Sequence, residues 1–359
     1  MKIGIILGTR PEIIKMSPII RYCEKLSIPF FILHTGQHYS YEMDSLFFKQ
    51  LMLPNPTFNL NIGSGSHAVQ TAKILIGVEE IISREHPSIV LVQGDTNTVL
   101  GGALAAVKLH IPIGHIEAGL RSNDRTMPEE INRIVTDHLS NYLFTPTICA
   151  QNNLISEGIQ KDKIFSVGNT IVDSVNYNLS IANSQYSQMN IYSLSPKQYV
   201  LVTLHRAENV DSVSRLKKIF QGLTSIINDY NYPVILPVHP RTKRMIEQEK
   251  ISFGNILLIN PVGYLEFLNL EFNAKIILTD SGGVQEEACI LGVPCVTIRE
   301  NTERPETIEV GSNILAGTEP DSIIRCFCAM LEKKYEWSNP YGDGKAGERI
   351  VECLKTKLL

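Results

Sequence analysis

Three acidic side chains, Asp95, Glu117 and Glu129, fall within residues 95–129, each just past a short apolar run or at the mouth of a helical pattern. Asp95 lies in Gln93-Gly94-Asp95-Thr96, Glu117 in His115-Ile116-Glu117-Ala118-Gly119, and Glu129 behind a proline in Met127-Pro128-Glu129-Glu130. Taken singly, each has an ordinary explanation. An aspartate at a strand-to-helix turn caps the helix, acidic residues in a first turn favour its dipole, and Glu129 with Arg133 makes a surface pair. Convergence points to chemistry instead. Carboxylates sharing one crevice repel one another and lose hydration, which raises at least one pKa into the range suited to proton transfer.

Cations and glycines supply the complementary chemistry. Gly8-Thr9-Arg10-Pro11-Glu12-Ile13-Ile14-Lys15 combines a tight turn, a proline suited to the first helical position and two cations, Arg10 and Lys15, placed to grip an anion. The alternative is an ordinary turn with solvated cations. Later, His205-Arg206 and Pro237-Val238-His239-Pro240-Arg241 follow apolar runs and offer a proton carrier or a diphosphate contact. Thr279-Asp280-Ser281-Gly282-Gly283 opens a helical pattern, so Ser281, Gly282 and Gly283 can bring backbone N–H groups to a phosphate. Glu287, one turn further on, can accept hydrogen bonds from a ribose diol, and Arg304 follows another apolar run. The GxxxxGK spacing of a phosphate-binding P-loop is absent. GxGxxG spacing occurs only at 342–347, where no strand precedes it, so it reads as a turn and implies no redox cofactor.

The elements that must position these residues alternate between short β-branched runs and helix-length periodic stretches, the signature of parallel α/β structure. In the first half the runs predict strands at 2–7, 30–35, 89–93, 113–117 and 142–145, with helices near 11–26, 67–85, 98–109 and 129–139. The pattern restarts with strands at 199–204, 234–237, 256–259, 275–279 and 295–298, and helices near 213–229, 263–273 and 284–291. Residues 176–197, rich in Ser, Asn and Tyr, have the composition of a connection, which predicts one domain over 1–175 and a second over 195–340. A last amphipathic helix at 347–358, within a closing segment 345–359, is expected to return to the first domain. Ligands of parallel sheets bind beyond the carboxyl ends of the strands, which is where the residues singled out stand.

Composition sets limits on function. A chain of 359 residues with 43% hydrophobic content has room for two cores. Its formal charge of -4 provides no broad cationic surface, so nucleic acid and anionic membrane are not expected partners. No apolar run reaches the roughly 20 residues needed to cross a bilayer, and the apolar start is too short for a signal peptide, so a soluble cytoplasmic protein is expected. Seven cysteines without paired CxxC spacing read as free thiols. Cys326-Phe327-Cys328 belongs to an amphipathic helical pattern rather than a metal clip, and no metal is assigned.

The stretches GTRPE with its following lysine, GDTNT, HIEAGLRS, PEEINR, LHRAEN, DSGGVQEE and TERPE occur in the order characteristic of non-hydrolysing UDP-N-acetylglucosamine 2-epimerases, and the chain resembles that family over nearly its whole length. The resemblance implies two Rossmann-like domains facing across a cleft, as in GT-B glycosyltransferases, a homodimer, and no metal or redox cofactor. It implies interconversion of UDP-N-acetylglucosamine and UDP-N-acetylmannosamine by anti elimination of UDP to 2-acetamidoglucal and syn re-addition to the opposite face of C2, with the intermediate held by domain closure. Asp95, Glu117 and Glu129 then become acid/base groups, His205 lies near the diphosphate, and Arg10, Ser281, Gly282, Gly283 and Glu287 hold UDP, with Lys15 and Arg304 as further ligands. Gln37, His38, Arg206 and His239 are candidates for a site where substrate activates the enzyme. The rivals are a 2-epimerase of UDP-2,3-diacetamido-2,3-dideoxyglucuronate, which shares PEEINR, HPRT and PVGYLE, a hydrolysing epimerase, a GT-B glycosyltransferase and a non-enzymatic UDP-sugar sensor.

Overall fold

A computed structural model describes residues 1–36, 41–185 and 192–358. The chain divides into two compact units, Met1–Ser174 with Tyr341–Leu359, and Val175–Pro340.

In the first unit the strands are β1 Ile3–Leu7, β2 Phe30–His34, β3 Phe58–Asn59, β4 Ile89–Gln93, β5 Ile113–Ile116, β6 Tyr142–Thr145 and β7 Ile164–Ser166. They form one parallel sheet in the order β3-β2-β1-β4-β5-β6-β7. Every residue of β1 and β4 is buried, because helices cover both faces of a parallel sheet and its central strands see no water. The order reverses between β1 and β4, and such a reversal opens a crevice at the strand ends. Helix Ala346–Leu358 packs in this unit against helix Arg10–Lys25, so closely that a Cβ on Gly347 would come within 2.7 Å of Pro18 Cβ.

The second unit repeats the plan. Its strands are β8 Val200–Thr203, β9 Val234–Pro237, β10 Leu257–Ile259, β11 Ile276–Thr279, β12 Cys295–Thr297 and β13 Asn313–Leu315. They are parallel in the order β10-β9-β8-β11-β12-β13, with the reversal between β8 and β11. Core side chains from β8, β9, β11 and β12 meet Leu216, Phe220 and Leu223 of helix Val213–Tyr230 and Ile323 and Phe327 of helix Pro320–Leu331. Cys326 and Cys328 therefore belong to a packed helix, and all seven cysteines are free thiols.

The polar stretch read as a connection differs from that expectation. Helix Thr170–Gln185 runs through its first part, and Val175, Asn178, Ile181 and Ala182 are buried at helical spacing. Polar composition hid this periodicity because the buried set includes an asparagine and the exposed face is rich in Ser and Asn. Short elements also went unread: helices Ile148–Ser156, Pro240–Gln248 and Pro305–Glu309, and strands β7 and β13. Two or three apolar residues between turns carry too little periodic signal. Among the described residues, no helix is long and apolar enough to cross a membrane.

Candidate active site and nucleotide site

At the end of β1 the backbone comes very close to its neighbours. A Cβ on Gly8 would lie 2.2 Å from Thr35 Oγ1 and 2.3 Å from Thr98 Oγ1, so only glycine fits there. Thr9 opens helix Arg10–Lys25, and Glu12, three residues on, reaches back to it. Gly8 N–H and Thr9 N–H donate to Glu12 Oε2 at 2.5 and 2.9 Å, while Thr96 Oγ1 donates to Glu12 Oε1 at 2.5 Å. One carboxylate thus joins the turn after β1 to the turn after β4, across the point where strand order reverses. Burial pushes the Glu12 carboxyl up to about 7, with the Asp95 charge adding to the rise and the three donors opposing it.

Asp95 follows β4 but does not cap the next helix. Thr96 takes that part, accepting from Thr98 N–H and Val99 N–H at 3.1 and 3.4 Å. Asp95 Oδ2 instead receives a two-pronged contact from Arg133 Nε and Nη2 at 2.9 and 2.6 Å. The surface pair of Glu129 with Arg133 that the spacing offered as an ordinary alternative does not form; Arg133 pairs with Asp95 and, at 2.7 Å, with Glu130. A helix turn places residues three and four apart on one face, but Arg133, itself 8% exposed, turns to the partly buried Asp95 and away from a solvent-facing partner. Glu130 also accepts Ser122 N–H and Asn123 N–H, both at 3.0 Å, which anchors the loop entering helix Pro128–Leu139. Glu129 is half-buried, and its side chain makes no hydrogen bond or ion pair among the described residues.

Glu117 sits past β5 with φ of +70°, a left-handed conformation uncommon for a residue with a side chain. Its side chain is 6% exposed and meets Lys15 Nζ at 2.5 Å, with Gln93 Nε2–H donating to Oε2 and Asn169 Nδ2–H to Oε1. Lys15, read as a phosphate cation, thus faces a carboxylate. A buried cation and carboxylate at this distance each compensate the other's desolvation. Arg10 stacks over the buried Phe47 ring, 5.5 Å from its centroid. Asp95 and Glu117 stand at the ends of paired strands, Gln93 opposite Ile116, and the helix bearing Glu129 is tied to Asp95 through Arg133.

In the second unit His205 follows β8 and Asp280 follows β11. His205 Nδ1 lies 3.0 Å from Asp280 Oδ1, and Asp280 also accepts the N–H groups of His205 and Arg206 at 3.0 to 3.2 Å. Despite burial, these contacts hold the Asp280 carboxyl below its ordinary range. The arrangement fixes the imidazole ring, whose Nε2 meets no protein partner among the described residues.

The helix Gly282–Leu291 begins beside this pair. Its N-cap, Ser281, makes no side-chain cap, so the first N–H groups are left for another acceptor. A Cβ on Gly282 would meet only Glu303 Oε2 at 3.8 Å, and on Gly283 only Ser281 Oγ at 4.0 Å. Neither glycine has positive φ. Nothing within the protein demands glycine at either position, and the space beside both leaves the backbone open to approach. Glu287 is buried beside Tyr264 and Glu271, and burial with the Glu287 charge pushes Glu271 well above the carboxylate range.

Arg304 Nε lies 2.6 Å from Glu286 Oε1, and both side chains are nearly buried. Arg299, which sequence reasoning passed over, grips Glu303 through Nη1 and Nη2 at 2.9 and 3.1 Å and Glu208 at 3.1 Å. Burial raises Glu303, but that grip and the nearby Arg206 hold it down at about 2. Arg206 Nε is buried and meets no acceptor among the described residues. His239 caps helix Pro240–Gln248, its Nδ1 accepting Arg241 N–H at 3.2 Å, and burial with the His205 and Arg241 charges lowers its pKa. Gln37 and His38 lie outside the described residues.

Of the residues missed, Glu12 carried a legible signal, the Thr-x-x-Glu spacing of a capping box. The sequence singled out Arg10 and Lys15 on either side of it as more obvious cations.

Two parallel-sheet units, one gathering carboxylates and one presenting an uncapped glycine-rich helix start, define a protein of two Rossmann-like α/β units. The family model described as UDP-N-acetylglucosamine 2-epimerase matches residues 23–355, and the chain belongs to that family. It is 57% identical over 361 residues to the UDP-N-acetylglucosamine 2-epimerase of Methanocaldococcus jannaschii, covering 99% of each. A crystal structure of the UDP-GlcNAc 2-epimerase from that organism, in complex with UDP-GlcNAc and UDP, superposes with a TM-score of 0.91 at 57% identity, covering 99% of this chain and 100% of that one. The UDP-2,3-diacetamido-2,3-dideoxy-D-glucuronate 2-epimerase of Pseudomonas aeruginosa is 44% identical over 358 residues, covering 99% of each.

Proposed function

We propose that this chain interconverts UDP-N-acetylglucosamine and UDP-N-acetylmannosamine, the first unit supplying proton transfer at C2 and the second holding UDP. The observation that carries the reading is the linked acid cluster of the first unit. Asp95 held by Arg133, Glu117 held by Lys15, and the half-buried Glu129 belong to elements bonded to one another. The higher identity to the UDP-GlcNAc enzyme than to the diacetamidoglucuronate enzyme favours the simpler sugar.

C2–H has no adjacent carbonyl and is weakly acidic, so its removal must be coupled to departure of UDP. Backbone N–H groups of Gly282 and Gly283 with Arg10 and His205 stabilise the leaving diphosphate, and Glu287 holds the ribose. The 2-acetamidoglucal then takes UDP back while a different carboxylate protonates the opposite face of C2. Asp95, Glu117 and Glu129 provide the acid and base functions, and no metal or redox cofactor takes part.

The protein acts as a cytoplasmic homodimer in this reading; Val69 and Ile76, exposed apolar residues seven apart on helix His67–Glu85, are consistent with a covered face. The buried Arg206 Nε, which meets no acceptor among the described residues, supports a second, activating UDP-sugar subsite.

Incubation with UDP-N-acetylglucosamine alone tests the proposal. A UDP-linked epimer is expected without any acceptor. Free sugar would indicate a hydrolase, and inertness with turnover of UDP-2,3-diacetamido-2,3-dideoxyglucuronate would transfer the assignment. A requirement for UDP-N-acetylglucosamine in the reverse reaction tests the activating subsite, and sedimentation tests the dimer.

A further inference from the structure

His115 and Asp137 are buried completely in the first unit, and the proposed chemistry uses neither. Their contacts reach all three elements that carry the acids. His115 Nε2–H donates to the Gly94 carbonyl at 2.8 Å, because a carbonyl can only accept, and Gly94 directly precedes Asp95. His115 Nδ1 shares a proton with Asp137 Oδ1 at 2.7 Å. Asp137 Oδ2 accepts Gly119 N–H at 3.2 Å, two residues beyond Glu117, and pairs with Arg121 Nη2 at 2.8 Å. Asp137 itself lies on helix Pro128–Leu139, which bears Glu129 and Arg133.

Gly94 and Gly119, at φ of +84° and +83°, make left-handed turns that glycine adopts without strain, whereas Glu117 between them in the site, at +70°, persists only where its surroundings fix it. Gly119 is also wedged against Ala150, whose carbonyl oxygen a Cβ would approach to 2.2 Å.

We propose that the buried His115–Asp137 pair is a positioning unit that sets Asp95, Glu117 and Glu129 in register for proton transfer at C2. The proposal rests on the epimerase reading and adds to it a residue pair that touches no substrate. A displacement of about 1 Å in a reacting group costs roughly a hundredfold in rate, so loosening either turn should be felt in turnover and not in UDP affinity.

The test compares His115→Gln, His115→Asn and Asp137→Asn with the parent enzyme, measuring kcat, UDP affinity and thermal unfolding. Glutamine places an amide N–H where His115 Nε2 stands and keeps the Gly94 bond, whereas asparagine reaches only as far as Nδ1. We expect His115→Asn and Asp137→Asn to lose about a hundredfold in kcat and His115→Gln only about tenfold, with UDP affinity of all three within roughly twofold of the parent. Equal kcat in the two His115 variants, UDP affinity falling in step with kcat, or failure of all three to fold would overturn the proposal and leave the pair as a support of the fold alone. A parent enzyme that does not epimerise UDP-N-acetylglucosamine would instead overturn the reading on which it rests.

Discussion

Lys15 and Glu117, 102 positions apart in sequence, meet at 2.5 Å with side chains 9% and 6% exposed. Helix Arg10–Lys25 after β1 and the turn after β5 bring them together, so the pair exists only in the assembled sheet. Removing one member of a buried pair strands the other charge, which costs about 3–5 kcal/mol. Lys15→Met should therefore lower stability by that order in urea unfolding and reduce kcat by at least about a hundredfold. Unchanged turnover in a destabilised Lys15→Met enzyme would separate the pair from the reaction.

Arg133 fixes Asp95 with two donors from a planar fork that lysine cannot reproduce. Arg133→Lys should keep the fold and UDP affinity while kcat falls about tenfold or more. Steady-state kinetics beside UDP titration checks the split.

Gly283→Ala offers a cleaner separation of fold from binding. The added methyl meets only Ser281 Oγ at 4.0 Å, at a backbone conformation alanine tolerates, so thermal stability should not fall. UDP affinity should drop about tenfold or more, because the methyl stands where the diphosphate approaches the helix start. Calorimetry of UDP binding with a melting curve decides it, and unchanged affinity would place UDP elsewhere.

Much of this was legible from residue order alone. Alternating β-branched runs and helix-length patterns located both sheets, and the segments after β1, β4, β5, β8 and β11 already held the residues that gather. Pairing was not legible. Spacing put Glu129 next to Arg133, but the fold gives Arg133 to Asp95, and it gives Arg304 to Glu286. Such choices depend on which partner is buried with the cation, and that is a property of three-dimensional packing. The same holds for Glu12, an ordinary capping residue in sequence that becomes, by burial, the carboxyl raised to about 7.

His34, at the end of β2 and edge-on to Phe48, is pushed by burial down to about 4. Above pH 6.5 the ring is neutral whether the chain is folded or not, so its contribution to stability is complete there. As pH falls from 6.5 towards 4, the unfolded chain takes up a proton that the folded one refuses, and up to roughly 3 kcal/mol is lost. His34→Leu should flatten the dependence of unfolding free energy on pH across that window, measured by urea titration at pH 7.5, 6 and 5. An unchanged slope would show that His34 is not the group responsible.

Proton transfer at C2 is the central claim, and proton NMR of the sugar during turnover in heavy water reads it directly. UDP-N-acetylmannosamine formed from UDP-N-acetylglucosamine should carry deuterium at C2, with label returning to the recovered substrate. Epimer that keeps its original C2 proton, or deuterium entering at any other carbon, would contradict removal and replacement of that proton by the Asp95, Glu117 and Glu129 cluster.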